Sequence, residues 1–123
     1  MKIFGHPWIE SIAFYPVENI ESIKSSPASS LLQIEKFSSN IELIQYCYAN
    51  NLPYIVEVVT IKEAIFANSL GAKYILTEKA LAIGIMPLAQ HYLFDTQILA
   101  SISDEFEIEE MAKIGVDGVY FKQ

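Results

Sequence analysis

The chain has 123 residues, 52% of them hydrophobic and 19% charged, which favours one packed α/β domain over 1–123 and excludes disorder. Fifteen acidic residues face eight basic ones, for a net charge of −7, and every basic residue is a lysine. A chain of that sign without arginine lacks the counterion-releasing stripe that nucleic acid requires, so neither nucleic acid nor an anionic membrane is an expected partner. The single cysteine, Cys47, admits no internal disulfide, and no stretch has the length of a signal peptide core or a membrane span. A reducing, cytoplasmic setting is therefore the default.

The first 30 residues read as short apolar pieces. Ile3-Phe4, Trp8-Ile9 and Ile12-Ala13-Phe14-Tyr15 are split by Gly5-His6-Pro7 and Glu10-Ser11, which suggests an extended arm or an irregular hairpin. A short helix is expected over Glu18 to Lys24, ended by Ser25-Ser26-Pro27.

From Ser38 onward the pattern is a regular alternation of helix and strand. A strand at Leu31 to Ile34 precedes a capping box at Ser39 and Glu42, whose helix shows an apolar face of Ile41, Ile44, Cys47 and Tyr48. The run Tyr54 to Val59 suits a strand covered on both faces. A second box at Thr60 and Glu63 opens a helix with Ala64, Ile65, Ala67 and Leu70 inward, stopped at Gly71. The strand Lys73 to Thr77 follows, then a helical region from Ala80 to Phe94 interrupted by Gly84 and Pro87, read either as one kinked helix or as a loop or short turn followed by a helix from about Pro87. A strand at Gln97 to Ile102, a helix capped by Asp104 with Glu107 in the box, a stop at Gly115 and a strand at Gly118 to Phe121 complete the series.

Two of these units coincide when the chain is shifted by 44 residues: Thr60 falls on Asp104, Glu63 on Glu107, Gly71 on Gly115 and Ile75 on Val119. Repeated βαβ units of this kind lay down a parallel sheet. The expected fold is an open, mostly parallel sheet of about five strands with helices on both faces, flavodoxin-like or Rossmann-like. The alternative is a half TIM barrel that completes itself by dimerising.

Ligands of parallel sheets gather beyond the carboxyl ends of the strands. That rule selects Glu35, Lys36, Glu57, Thr60, Thr77, Glu78, Lys79, Ser101, Ser103, Asp104 and Lys122. Capping alone explains Thr60 and Asp104. Glu57 interrupts an apolar run, so it is either paired, shifted in pKa, or set at the wet end of its strand. Glu57 and Lys79 form the acid–base pair of an enzyme reading, whereas Glu78 and Lys79, adjacent on an extended chain, point opposite ways. His6, between Gly5 and Pro7 and near Trp8, is a further ligand-binding candidate. His91 sits in a helical stretch without a partner motif. Neither histidine has metal-ligand spacing, so no metal and no cofactor is expected. There is no phosphate loop and no nucleophile elbow.

The stretch Glu57-Val58-Val59-Thr60-Ile61-Lys62-Glu63-Ala64, followed by Leu70-Gly71-Ala72-Lys73-Tyr74-Ile75, resembles one βα unit of the phosphate-binding TIM barrels. Ser103-Asp104-Glu105 through Ile114-Gly115-Val116-Asp117-Gly118-Val119 resembles another. The matched residues build the βα turn and carry no barrel chemistry, and a barrel needs eight strands. The whole chain also resembles a small conserved bacterial family to which no activity attaches. A non-catalytic small-ligand-binding or interaction domain is the first functional expectation. A lyase- or isomerase-type enzyme at the strand ends is the second. The aromatic content of the N-terminal segment and an uncovered final strand predict a homodimer.

Overall fold

The computed structural model describes residues 1–122. Its strands are β1 (Lys2–Phe4), β2 (Phe14–Pro16), β3 (Leu31–Lys36), β4 (Tyr54–Glu57), β5 (Tyr74–Glu78), β6 (Gln97–Ile102) and β7 (Gly118–Phe121). Its α-helices are α1 (Ile20–Lys24), α2 (Ile41–Ala49), α3 (Ile61–Ser69), α4 (Lys79–His91) and α5 (Phe106–Ile114). All seven strands join one parallel sheet in the order β1-β7-β6-β5-β4-β3-β2. The sheet curls into a half-barrel. The strand count is thus seven where about five were expected, and a curled half-barrel replaces the open flavodoxin-like sheet.

The two added strands come from the first 30 residues. That segment was expected as an arm or hairpin, but β1 pairs with β7 and β2 with β3, each in parallel, at opposite edges of the sheet. No helix joins them; residues 5–13 cross as irregular chain. The rings of Phe4 on β1 and Phe14 on β2 nevertheless lie 5.2 Å apart between centroids, and Phe14 stacks on Tyr120 of β7 at 5.6 Å. Curling has brought the edges within side-chain reach of one another.

Period-two alternation divides the strand side chains between two separate cores. Phe4, Leu31, Ile55, Tyr74 and Leu99 fill the concave side with no helical residue among them. Ile34, Tyr54, Val56, Ile75, Ile98, Ala100 and Val119 face the other way and pack with Ile44, Cys47, Ala64, Ala67, Ala82, Ile85 and Met111 of the helices. The continuous apolar runs do reflect cover on both faces. On the concave side, however, the cover is the sheet's own side chains, and the helices lie on the convex side.

Several local expectations shift. The box at Ser39 and Glu42 does not form: Phe37–Ser39 is a 3-10 turn, and α2 starts after Asn40 with no side-chain cap. Ile41 and Tyr48 are exposed, so the buried face of α2 is Leu43, Ile44 and Cys47. In α3, Ala64 and Ala67 are buried while Ile65 is exposed. Lys79 to His91 is one continuous helix that absorbs both Gly84 and Pro87, held by its buried Ala82, Ile85, Met86 and Ala89. Burial there outweighs the local cost of proline.

Every helix of the series stops in the same way. Asn51, Gly71, Leu93 and Gly115 are left-handed, with φ of 53°, 76°, 53° and 90°. The next residue's N–H then reaches back five residues: Leu52 to Cys47, Ala72 to Ala67, Phe94 to Ala89 and Val116 to Met111, at 2.9, 3.0, 2.9 and 3.3 Å. This is the Schellman closure. Gly71, Leu93 and Gly115 stand 22 residues apart in turn, so the 44-residue shift spans two βα units.

Candidate functional site

A trough runs along the carboxyl ends of β3 to β7, at the open end of the half-barrel. Its central cavity, of about 360 Å³, is lined by Gln33, Glu57, Val58, Val59, Leu76, Thr77, Glu78, Leu81, Ser101, Tyr120 and Lys122. A cavity of about 260 Å³ adjoins it on the β3 side and shares Gln33, Glu57 and Leu76. Another of about 370 Å³ adjoins on the β7 side and shares Glu78, Ser101 and Lys122. The aromatic plug of Phe4, Phe14, Tyr74 and Tyr120 contributes apolar cover on the concave face.

The local sequence sets each lining group. Apolar side chains fill the middle of β4, β5 and β6, and each strand turns polar where it leaves the core. Glu57 stands at that wet end: it is exposed, and no ion pair or side-chain hydrogen bond engages it among the described residues. The interrupted apolar run therefore marks the strand's end, with no buried partner. Thr77 is buried and already occupied, its hydroxyl donating to the Val58 carbonyl at 3.1 Å. In β3 the pairing steps from Ile34 opposite Val56 to Lys36 opposite Glu57. Glu35 is thus an extra residue, and this bulge re-aims the strand end as bulges beside sites commonly do.

The structure brings Glu57, Glu78, Ser101 and Lys122 together around the central cavity. Lys79 lines the β7-side cavity and not the central one. Its ammonium lies 2.9 Å from Glu110 and 3.0 Å from Glu107 on α5, and none of the three trough cavities is lined by both Glu57 and Lys79. Hydrogen bonds to Glu110 and then Glu107 raise the Lys79 pKa, the opposite of what a nucleophilic amine requires. Ser103 and Asp104 organise the start of α5. Their N–H groups donate to Glu107 at 2.8 and 3.2 Å, and Asp104 accepts from the Phe106 N–H at 2.9 Å. Ser103 also lines the β7-side cavity.

His6 lies apart from the trough. The Trp8 N–H donates to its Nδ1 at 3.1 Å, so Nε2 carries the proton and donates to Glu105 at 2.5 Å. The ring also contacts Trp8 and Phe121, each at 5.2 Å between centroids. With Ile3, Trp8, Ile9 and Ile108 it lines an apolar pocket of about 330 Å³, beside the irregular crossover. Burial pushes the Cys47 thiol up to about 11, which leaves it protonated and unreactive at neutral pH.

Gln33 and Tyr120 line the trough and were not singled out by sequence. The signal was present in the alternation Leu31, Gln33 and Gly118, Tyr120, Lys122, but it has meaning only once the concave face is known. Among the described residues no cluster of potential metal ligands occurs, and no helix is long and apolar enough to cross a membrane. No protein-family model matches the sequence, and no curated protein matches it either.

Proposed function

We propose that this chain is a non-catalytic small-molecule-binding protein whose ligand sits in the central part of the trough. One observation carries the reading. Glu57 and Glu78, ending β4 and β5, and Lys122, just after β7, converge on one partly apolar cavity while taking no ion-pair partner among the described residues. Small-molecule sites share this form, a few convergent polar groups on an apolar lining. With −7 net charge, nucleic acid and anionic membranes are not proposed as partners. A thermal-shift screen of metabolites tests the site. Glu57→Gln leaves the unliganded melting temperature unchanged, because the carboxylate is exposed and unbonded, and it removes the ligand-induced shift. A variant that keeps the full shift takes Glu57 out of the site.

We also propose that the protein is a homodimer. Trp8 is 85% and Phe106 87% exposed, and the His6–Glu105 contact joins the segments that carry them. Large exposed rings so placed favour a two-fold contact. Light scattering is expected to give about 28 kDa, twice the 13.9 kDa chain, and Trp8→Ala to shift the mass toward monomer on dilution. A strictly monomeric protein across a hundredfold dilution, on the order needed to dissociate a micromolar dimer, refutes it.

A further inference from the structure

Resting on that reading of the trough, we infer that its ligand is a small diamino acid: a zwitterion with one more ammonium than carboxylate. The central cavity holds two carboxylates, Glu57 and Glu78, against one ammonium, Lys122, and therefore carries one negative charge in excess. A complementary ligand supplies two cations and one anion.

The placement of the charges matches such a molecule. Glu57 and Glu78 end the neighbouring strands β4 and β5. Lys122 follows β7, two strands beyond β5 in the sheet, which at parallel-strand spacing is about 10 Å away at the backbone. The carboxylates thus occupy one side of the cavity and the ammonium the other. Leu76, Leu81, Val58 and Val59 line the same cavity and offer an apolar wall to a short run of methylenes.

The same charges argue against other classes. A phosphorylated sugar or a dicarboxylate would meet both glutamates with one lysine and no arginine to offset them. A simple diamine would satisfy the glutamates but set a like charge against Lys122, which selects against it. A neutral amino acid would leave one carboxylate unmatched.

Titration calorimetry on the full chain with lysine, ornithine, leucine, glutamate, putrescine and a phosphorylated sugar tests the inference. Lysine or ornithine is expected to bind about tenfold or more tighter than any other probe, with Glu57→Gln, Glu78→Gln and Lys122→Met each lowering that affinity by about tenfold or more. Val59→Trp, at an exposed position on the cavity wall, is expected to block binding without loss of fold. Tightest binding of putrescine, leucine, glutamate or the sugar phosphate, still blocked by Val59→Trp, overturns the ligand class and leaves the trough a small-molecule site. If neither these probes nor any compound in the metabolite screen gives a response that Val59→Trp abolishes, both the class and the site fall.

Discussion

The units from Tyr54 to Phe121 and the segment from Met1 to Ser30 build the same sheet by different means. In the first region β4, β5 and β6 are each followed by a helix of nine or more residues, and each helix is closed by the same left-handed stop. Matching bonds recur 44 positions apart. Glu63 accepts from the Val59 N–H at 2.9 Å as Glu107 does from Ser103 at 2.8 Å. In the second region two strands of three residues each are joined by uncovered chain. They depend on a few ladder bonds and on the rings of Phe4 and Phe14. Regular cover makes a strand stable by local means, whereas β1 and β2 borrow their stability from neighbours distant in sequence.

The largest test of this contrast falls where the regions join. A Cβ on Gly118 would come within 2.7 Å of both the Lys2 carbonyl and a Leu99 methyl. Gly118→Ala is therefore expected to cost about 1–3 kcal/mol in urea unfolding. In hydrogen exchange, the Lys2 amide, bonded to the Asp117 carbonyl, is expected to lose protection before β5 and β6 do. Uniform loss of protection across the sheet would show that the two regions are one cooperative unit.

A smaller effect sharpens the comparison from within the regular region. Leu93 holds the left-handed stop that glycine holds after α3 and α5, with its side chain 82% exposed. Leu93→Gly relieves that conformation but loosens the unfolded chain, so a net gain of about 0.5 kcal/mol is expected. A loss in thermal unfolding would mean that the exposed Leu93 side chain contributes packing after all.

The smallest test is read only against pH. Hydrogen bonds from the Ser103 N–H, then Lys79, hold the Glu107 carboxyl below the usual carboxylate range. Its contribution is present above the unfolded pKa of about 4.3 and is lost as pH falls through the lowered folded value. Glu107→Gln keeps an accepting oxygen and removes the charge. The melting difference from the parent protein is then expected near neutrality and to vanish in acid. A difference independent of pH would assign the effect to bond geometry alone.

The sequence showed most of the regular region because its determinants are local. Thr60, Asp104, Gly71 and Gly115 act on backbone groups within a few residues. The strand-end rule also reached Glu57, Glu78, Ser101 and Lys122, since polarity rises where a strand leaves the core. It could not show that Lys79 turns to the β7-side cavity and away from Glu57, because its partners, Glu107 and Glu110, lie on another helix. Lys2 to Phe4 was unreadable as a strand for the same reason, as its partner is β7. Helices on one face rather than two were equally hidden, because an apolar run looks the same whether helices or the strands' own side chains cover it.

The pairing of Lys2 with Gly118 also has a bearing on synthesis. Translation proceeds at roughly 5–20 residues per second, so β1 waits roughly 6 to 23 s for the 116 residues that separate it from its ladder partner. Throughout that interval Phe4 lacks its ladder partner Tyr120, while β3 to β6 can already pair in the order in which they emerge. Each newly made strand adds to the one before it, until β7 recruits a segment that left the ribosome long before.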